Sequence, residues 1–299
     1  VKRVHFLYGC WMLTNCSPII KRSKRGKSIC AYYLDGEKRM VRDEMTILEL
    51  QAKAARLRLM GLDMAQKAGS GHLGGAFSLA EIMSVLYFDV MNVDPQDPAY
   101  PDRDRLVLSK GHATVALYPA LALRGFFPIK HLDTFRNINS NLSGHAEMHV
   151  PGVDMSTGSL GQGLSTAVGM ALAARLNRQN YRVYAITGDG ELQEGQIWEA
   201  AQFAAHYKVS NLITIVDNNK LQLDGITCEI MNIGDVEAKF AAFGWQTQIV
   251  DGHDIAALLD ALDAAKAETD KPSVIVANTT KGKDVSFMEN NVKYHGNHP

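Results

Sequence analysis

The stretch GDGELQEGQIWEAAQFAAHYKVSNLITIVDNN, residues 188–219, decides the fold. It directly follows one apolar run, residues 182–187. It then contains a helical pattern and, near its end, a second apolar run, residues 212–217. Two apolar runs joined by a helix are the unit of a parallel sheet that is covered on both faces. Such sheets bind ligands beyond the carboxyl ends of their strands. We therefore expect the strand ends at Asp189 and Asn219 to share one site.

The same alternation continues along the chain and predicts an α/β fold, a doubly wound and mainly parallel sheet with helices on both faces. The candidate strands are residues 182–187, 212–217, 245–250 and 273–278, and the candidate helices are residues 194–207, 235–243 and 254–268. Ahead of the sheet, apolar residues three and four apart predict one helix that starts near Thr46 and another that starts after Ser78. Each has a capping-box sequence, Thr46-x-x-Glu49 or Ser78-x-x-Glu81, and a further helix is predicted from near Gly161.

Composition separates the first 45 residues from the rest. The chain has 299 residues, 46% of them hydrophobic, and a net charge of -1, yet residues 1–30 contain seven Lys and Arg and no acid. We predict that residues 1–45 are a basic extension, disordered or preceding a start at Met40 or Met45, and that residues 46–299 form one domain. The extension lacks a signal-peptide cleavage site, and a nucleic-acid arm is disfavoured because short charge runs are more often only solvated. No apolar run reaches about eighteen residues, so a membrane span is not expected.

Cysteine usage indicates a reducing compartment. Cys10, Cys16 and Cys30 lie in the extension and Cys228 lies in the domain, with no C-x-x-C spacing for zinc. A domain with a single cysteine has no disulfide framework, so we predict a cytoplasmic protein.

The ends of the two strands carry the oxygen ligands of a magnesium site. Mg²⁺ takes about six oxygens and keeps positions for phosphate and water, so a few protein ligands suffice. Asp189 supplies a carboxylate, Asn219 an amide oxygen and Leu221 a backbone carbonyl. Gly188 and Gly190 let the backbone approach phosphate groups because they lack a Cβ. GDG alone is equally compatible with a tight turn, but its pairing with VDNNKLQLDG favours a site for a cation and a diphosphate.

Together these motifs resemble the thiamin-diphosphate motif of the transketolase family. GDGELQEG at 188–195 is followed by NNKLQLDG at 218–225, and SGHLGGAFSLAEIM, LSKGHA, SGHAEMHVPGVDMSTGSLGQGLSTAVGMA and KYHGNHP stand in the family's order. The resemblance covers roughly residues 46–299 and the N-terminal part of a transketolase. It implies the thiamin-diphosphate-binding fold of the diphosphate (PP) type. The implied cofactors are thiamin diphosphate and Mg²⁺, for which Ca²⁺ or Mn²⁺ can substitute.

The resemblance also assigns roles to four histidines, each of which stands next to a glycine. It implies that His72 and His295 contact hydroxyl or carbonyl oxygens of the substrate, that His112 and His295 face the diphosphate, and that His145 contacts the terminal hydroxyl of a ketose. Imidazole suits these roles because near neutral pH it both donates and accepts protons. Taken singly, each is more often a surface residue or a structural one. Five of the other histidines are assigned to structure or surface: His131, His149, His206, His253 and His298.

Two further parts of the site are implied by the resemblance. Gly158 and Leu160, in the turn TGSLGQG, present backbone groups to the aminopyrimidine ring. Glu194 and Glu199 form a buried contact between active sites at a subunit interface, although the helix dipole alone also favours acids near a helix start. The family often has Pro at three positions that differ in this chain: Leu73, Ala146 and Ser159. These departures alter loop stiffness and substrate fit but remove no ligand.

The resemblance does not include the half of a transketolase that holds the activating glutamate and the aromatic pocket for the aminopyrimidine ring. We therefore predict the diphosphate-binding subunit of a split transketolase, active only with a C-terminal subunit that carries the pyrimidine domain. The assembly would be a heterotetramer with two copies of each chain, transferring a two-carbon ketol unit from a ketose to an aldose, free or phosphorylated. The alternatives are a 2-oxo-acid dehydrogenase alpha chain, a deoxyxylulose-phosphate synthase piece, or a non-catalytic binding partner.

Overall fold

The computed structural model describes the backbone of three short strands near the N-terminus and residues 42–297 in full. The three strands are β1 (Ile19–Arg22), β2 (Ser28–Leu34) and β3 (Glu37–Val41), an antiparallel sheet in that order. The chain divides into two units, Val1–Glu49 and Leu50–Pro299. The predictions of a disordered extension and a later start fall largely outside the described residues, and they stay predictions.

From Glu44 onward, helices and strands follow one another closely. The helices are α1 (Glu44–Ala68), α2 (Gly74–Phe77), α3 (Ala80–Val85), α4 (Thr114–Arg124), α5 (Gln162–Leu176), α6 (Gly195–His206), α7 (Thr227–Ile230), α8 (Val236–Ala242) and α9 (Ile255–Ala267). The strands are β4 (Arg105–Leu108), β5 (Val183–Gly188), β6 (Leu212–Asn218), β7 (Gln246–Asp251) and β8 (Ser273–Asn278). A π-helical turn (Leu86–Val90) follows α3, and 3-10 turns lie at Ile129–Thr134, Gly190–Gln193 and Val292–Tyr294.

Strands β4 to β8 form one parallel sheet in the order β4-β5-β6-β8-β7. In its register Gly188 pairs with Asp217, and Asn218 pairs with Asn278. The carboxyl ends of β5, β6 and β8 therefore lie side by side. The loops that follow these strands all open on one edge of the sheet, and this edge positions the candidate site.

Helices cover both faces of the sheet, as predicted from strands that are apolar along their whole length. On one face, Val183, Ala185 and Val216 belong to a buried cluster with residues of α5, α6 and α8. The alternate residues Tyr184 and Ile186 point to the other face and are also fully buried. On that face, α9 contacts β7 and β8. Each fully buried aliphatic side chain contributes about 1.5–3 kcal/mol, so the core on both faces holds the strand ends in place.

The predicted elements are confirmed to within one or two residues of their expected bounds. The apolar face of α1 is buried at Leu50, Leu57 and Met64 as expected, and α5 begins directly after Gly161. Strand β4 is too short, at 4 residues, for its sequence to show a period. None of the helices in the described part of the chain is long and apolar enough to cross a membrane.

The capping-box prediction at the start of α1 is wrong. The helix begins at Glu44, and the carboxylate of Asp43 accepts a hydrogen bond from the Thr46 backbone N–H at 2.7 Å. Asp43 is therefore the residue that caps α1, since a carboxylate at this position satisfies a donor of the first turn. Thr46 lies inside the helix.

The second capping box is also wrong, because tertiary contacts occupy both of its side chains. Residue Leu79, not Ser78, precedes α3, and it provides no side-chain cap. The Ser78 hydroxyl donates instead to Asp217 at 2.6 Å. Glu81 accepts hydrogen bonds from both terminal nitrogens of Arg58, at 2.7 and 2.6 Å.

Helix α9 has a side-chain cap whose contribution to stability can be measured. The Asp254 carboxylate accepts hydrogen bonds from the backbone N–H groups of Ala256 at 2.9 Å and Ala257 at 3.1 Å. We expect Asp254→Ala to lower the free energy of unfolding by about 1 kcal/mol, because two donors lose their partner, and Asp254→Asn to retain most of it. Urea denaturation of the full chain measures the change. Asp260→Ala, on the exposed side of the same helix, is the control, with an expected effect within about 0.5 kcal/mol. Equal losses in the two alanine variants would contradict the capping role.

Candidate active site

A buried carboxylate at the end of β6, Asp217, joins segments that are far apart in sequence. Its Oδ2 accepts hydrogen bonds from Ser78 Oγ at 2.6 Å and from the Asn219 amide at 3.0 Å. It also pairs with the Lys110 ammonium, and its other oxygen accepts from the Thr279 hydroxyl. Burial opposes ionisation, but the Lys110 charge and these hydrogen bonds outweigh it and hold the pKa of Asp217 below its usual range. The loops after β4 and β8 and the turn before α3 are thereby tied to one point.

The three predicted metal ligands lie around this carboxylate. Asp189 is 2% exposed, and its backbone N–H donates to the Asp217 carbonyl at 3.2 Å. Burial, and then the negative charge of Asp217, raise the pKa of the Asp189 carboxyl, so a cation beside it would favour the ionised form. Asp189 Oδ2 accepts from Thr227 Oγ1 at 2.9 Å. Asn219 Oδ1 accepts from the Leu221 N–H at 3.1 Å and keeps a second lone pair for a ligand.

A buried lysine outside the motifs that carry the resemblance, Lys281, lies beside these groups. It is 1% exposed, and its ammonium donates to the Leu221 carbonyl at 3.0 Å and to His295 Nδ1 at 2.8 Å. Burial, and then the charge of Lys110, lower the pKa of Lys281 to about 8. The sequence signal that could have found it is its position in TTKGK, directly after β8, at the same edge of the sheet as the other ligands.

The four predicted histidines come together in one cluster. The ring centroid of His72 lies 5.1 Å from that of His112, 6.3 Å from that of His145 and 5.7 Å from that of His295. The His112 and His295 centroids lie 5.3 Å apart. Because these residues are far apart in sequence, only the fold can bring them together, and the four loops do converge as expected. Their individual roles stay predictions.

Burial keeps three of these rings neutral near pH 7. It lowers the pKa of His72 to about 4, that of His112 to about 2 and that of His295 to about 3, and nearby cations add to its effect. A neutral imidazole has one donor and one acceptor nitrogen. Because the Lys281 ammonium only donates, Nδ1 of His295 accepts and its Nε2 carries the proton. Nδ1 of His72 is buried and has no hydrogen-bond partner among the described residues.

Close backbone contacts set the spacing of the loops. A Cβ on Gly111 would lie 2.4 Å from the Thr157 carbonyl oxygen, and a Cβ on Gly158 would lie 3.1 Å from the ring of His145. The loops that carry His112 and His145 therefore pack against the turn that opens α5, with Gly111 at a distance that only glycine allows.

Glu191, which the sequence pattern did not identify as part of the site, links the loop after β4, the turn that opens α5 and the end of β5. Its Oε1 accepts from Ser109 Oγ at 2.5 Å and the Gly161 N–H at 2.9 Å, and its Oε2 accepts from the Gly188 N–H at 3.1 Å. Burial raises the pKa of this carboxyl, yet all three partners donate to it and so favour its ionised form. The available sequence signal was its position in GDGE, directly after the GDG motif. Its partners could not be predicted in the same way, because only the fold brings them to it.

The remaining predicted residues lie at the end of β5, in the turn that opens α5 and near the start of α6. Gly188 and Gly190 flank Asp189, and a cavity of about 430 Å³ beside His145 is lined in part by Gly158. Leu160, in the same turn, is 36% exposed. The side chains of two acids at the start of α6, Glu194 and Glu199, are exposed on this chain. Their predicted contacts with an aminopyrimidine ring and a second subunit stay predictions.

His253 has the structural contacts expected of it. Its Nδ1 bonds Glu81 at 2.9 Å, and its Nε2 accepts from the Thr280 N–H at 2.8 Å. This ring links the loop after β8 to α3. Three other histidines assigned to structure or surface lie away from the cluster: His131, His149 and His206. The last, His298, lies outside the described residues.

The parallel sheet, the acid and amide at its edge and the histidine cluster define a thiamine-diphosphate-binding domain. The family described as "Transketolase, thiamine diphosphate binding domain" matches residues 50–298. The chain belongs to this family.

Two relatives named as transketolase subunits match over nearly their whole length. The chain is 48% identical over 249 residues to the 6-deoxy-6-sulfo-D-fructose transketolase subunit SqwG of Clostridium sp. (strain MSTE9), covering 83% of this chain and 90% of the relative. It is 40% identical over 252 residues to an apulose-4-phosphate transketolase subunit of Phocaeicola vulgatus, covering 84% of this chain and 89% of the relative.

Longer transketolases match over less than half of their length. Human transketolase is 41% identical over 255 residues, which cover 85% of this chain and 40% of the human protein. The crystal structure of transketolase from Campylobacter jejuni superposes with a TM-score of 0.80 at 38% identity, covering 84% of this chain and 41% of that chain. The chain thus spans about two fifths of these transketolases, but about nine tenths of the subunits.

Acid is expected to destabilise this domain through the histidine cluster. The pKa values of His72, His112 and His295 lie below the ordinary value of 6.5 in the folded state. The unfolded chain therefore binds more protons below that pH, and stability that is fully present above pH 6.5 is lost as the pH falls toward the folded values. Between pH 7 and 5 we expect the free energy of unfolding to fall by at most about 1.4 kcal/mol per pH unit for each ring, less for partly exposed ones.

Guanidinium denaturation of the full chain at pH 7, 6 and 5 measures this effect. We expect His112→Gln to flatten the pH dependence, because the variant has one fewer histidine held neutral by the fold. His206→Gln, at an exposed position, is the control and should keep the wild-type slope. An unchanged slope in His112→Gln would mean that His112 is not held neutral by burial.

Proposed function

We propose that this chain is the diphosphate-binding subunit of a two-chain transketolase. It transfers a two-carbon ketol unit from a ketose to an aldose once a second chain supplies the pyrimidine domain. The observation that carries the proposal is the convergence of four histidines on a sheet edge that holds Asp189, Asn219 and Leu221. The subunit names of relatives that match over about nine tenths of their length support the two-chain form. A cytoplasmic location, predicted from the cysteines, remains part of the proposal.

The residues at the sheet edge fit Mg²⁺. Asp189 offers a buried carboxylate with a raised pKa, and a divalent cation beside it would lower that pKa again. Asn219 and Leu221 offer an amide and a carbonyl oxygen in one turn, which leaves coordination positions for phosphate oxygens, as Mg²⁺ requires. Mn²⁺ and Ca²⁺ also take oxygen ligands and are the expected substitutes.

The same edge fits the diphosphate of thiamin diphosphate. The Lys281 ammonium bonds only neutral acceptors among the described residues, so its charge is available to neutralise a phosphate. Gly188 and Gly190 allow close approach of the backbone. The proton that His295 carries on Nε2 and the neutral ring of His112 complete the donors on this side of the cluster. A diphosphate bound here would lie beside the metal ligands, as one shared site requires.

The neutral histidines suit the proton transfers of a ketol transfer. When bound, thiamin diphosphate supplies the nucleophilic carbon that adds to a ketose carbonyl and allows the neighbouring carbon–carbon bond to break. In this proposal the rings of His72 and His295 exchange protons with substrate oxygens. His145, at the exposed end of the cluster, is the proposed contact of the terminal ketose hydroxyl. Rings with low pKa values stay neutral and can act as acceptors at pH 7.

The proposed partner covers the exposed side of the site. Gly158 and Leu160 would face the aminopyrimidine ring through backbone groups, while the partner supplies the glutamate that activates this ring. Glu194 and Glu199, exposed on the single chain, would be buried against another subunit. Two copies of each chain give the symmetric assembly that most soluble oligomers adopt.

The alternative assignments are less well supported. A 2-oxo-acid dehydrogenase alpha chain or a deoxyxylulose-phosphate synthase piece would share the GDG motif, but not the set of four histidine loops that this chain brings together. A non-catalytic partner would have little need for Asp189, Asn219 and the cluster to remain together.

Activity is expected to depend on the second chain. With thiamin diphosphate and Mg²⁺ present, the purified chain alone should show no ketol transfer, because the activating glutamate and the aromatic pocket are on the partner. Adding the pyrimidine-domain subunit should produce transfer from a ketose to an aldose, measured by product analysis with pyruvate as the competing donor. Rapid turnover by the chain alone would contradict the two-chain proposal, and turnover of pyruvate in place of a ketose would favour another thiamin-diphosphate enzyme.

Asp189→Ala should abolish metal-dependent cofactor binding. Removing the carboxylate takes away the charged ligand of the cation, so we expect thiamin diphosphate affinity in the presence of Mg²⁺ to fall at least tenfold, measured by calorimetry with the two-chain complex. Circular dichroism should show an intact fold. Asp224→Ala, an exposed acid in the loop after Leu221, is the matched control and should bind as the wild type does. Wild-type affinity in Asp189→Ala would rule out this metal site.

A further inference from the structure

Glu191 is a buried carboxylate that takes no part in the proposed ligand contacts or proton transfers. It is 2% exposed and lies two residues after Asp189. Its two oxygens accept three hydrogen bonds. Burying an ionisable side chain costs stability unless its polar atoms are well paired. The partners of this carboxylate therefore indicate what it does.

The three donors come from three different loops. Ser109 follows β4 in the loop that carries His112, and its hydroxyl donates to Glu191 Oε1 at 2.5 Å. Gly161 ends the turn that opens α5, and its N–H donates to the same oxygen at 2.9 Å. Gly188 ends β5, and its N–H donates to Oε2 at 3.1 Å. The two backbone donors thus bind different oxygens of one carboxylate.

These loops lead to the two ends of the proposed cofactor site. Gly188 directly precedes Asp189, the proposed metal ligand, whereas Gly161 directly follows Leu160 in the turn proposed to face the aminopyrimidine ring. Glu191 is hydrogen-bonded to the diphosphate end through one oxygen and to the ring end through the other. Because both oxygens belong to one planar group, the carboxylate fixes the distance between the two ends.

Close packing leaves these loops little room to adjust. A Cβ on Gly163, in the first turn of α5, would lie 2.5 Å from Ser109 Oγ and 2.6 Å from its Cα. Gly161 has a left-handed backbone with φ 83°, and a Cβ on it would lie 2.7 Å from the Cβ of Glu194. Close-packed groups transmit a displacement rather than absorb it. A change at Glu191 therefore moves the turn that opens α5.

We propose that Glu191 is a positioning residue that sets the spacing between the diphosphate end and the ring end of the thiamin diphosphate site. This inference rests on the cofactor site proposed for this chain. A ligand held at both ends binds tightly only where the two half-sites already stand at the right separation. Glu191 therefore acts on the affinity for the whole cofactor, and not on the reaction of the bound cofactor.

Glu191→Gln tests this spacing with the smallest change of shape. An amide accepts hydrogen bonds on one oxygen only, so its NH2 group must face either the Gly188 N–H or the Gly161 N–H, and a donor then meets a donor. In either orientation one end of the site is released while the other keeps its partner.

Asp104→Asn is the matched control. Asp104 is 7% exposed, and its two oxygens also accept from two backbone N–H groups, that of Asn92 at 2.7 Å and that of Arg182 at 2.8 Å. It lies directly before β4, at the opposite edge of the sheet from the site. This variant makes the same chemical change in a buried carboxylate that has no link to the cofactor site.

The measurement is calorimetry on the two-chain complex with Mg²⁺, using thiamin diphosphate and inorganic pyrophosphate, which occupies only the metal end. We expect Glu191→Gln to lower the affinity for thiamin diphosphate at least tenfold, and that for pyrophosphate by no more than about threefold. At saturating cofactor, kcat for ketol transfer should stay within about threefold, so the loss appears in the cofactor concentration that gives half the maximal rate. Asp104→Asn should leave both affinities unchanged.

Ser109→Ala is the second variant, which serves if Glu191→Gln does not fold. It removes one of the three donors and leaves both backbone donors paired, so we expect thiamin diphosphate to bind about threefold more weakly and pyrophosphate to bind as before. Wild-type affinity for thiamin diphosphate in the folded variants, or an equal or larger loss for pyrophosphate, would overturn the inference while leaving the cofactor site intact. Absence of thiamin diphosphate binding to the wild-type complex would overturn the proposed site itself.

Discussion

The site depends on one buried carboxylate, Asp217. It sits at the end of the central strand β6 with no exposed surface, and it receives the Lys110 ammonium, two hydroxyls and an amide. These partners belong to the turn before α3, the loop after β4, the start of the loop after β8 and the turn after β6. Removing one member of a buried pair commonly costs about 3–5 kcal/mol, because the other charge is left without a partner. The turn before α3 and the loop after β4, which carries His112, are therefore held in place by this network.

The charges at the sheet edge follow from that constraint. Asp217 neutralises Lys110, so the second buried lysine, Lys281, keeps a charge that no carboxylate of the described residues pairs with. Burial and the charge of Asp217 both oppose the ionisation of Asp189. This carboxyl is therefore suited to a divalent cation. The rings beside these groups are kept neutral by burial. One edge of the sheet thus combines groups for a cation, for a diphosphate and for proton exchange, within a framework that is fixed by the core before any ligand binds.

The sequence predicts the parts of this site that depend on strand ends. Asp189 and Asn219 follow apolar runs, and parallel strands bring their carboxyl ends together whatever the details of packing. Asp217 could not be singled out, because three residues with side-chain oxygens follow one another where β6 ends: Asp217, Asn218 and Asn219. Only the register decides which of them points inward. Glu191 and Lys281 can be assigned to the site only from their contacts, which are with residues far away in sequence. The wrong capping box at Ser78 has the same cause, because its side chain meets a tertiary partner that a local pattern does not contain. At α1 the cause is local, since the helix begins earlier and Asp43 caps it.

The central claim is that the ends of β5 and β6 hold one cation and one diphosphate between them. The most direct test is a crystal structure of the two-chain complex with thiamin diphosphate and Mg²⁺. The account predicts a single cation at about 2.0–2.1 Å from a carboxylate oxygen of Asp189, the amide oxygen of Asn219 and the carbonyl of Leu221, with diphosphate oxygens completing its shell. A cation held elsewhere, with these three groups turned into separate regions, would contradict it.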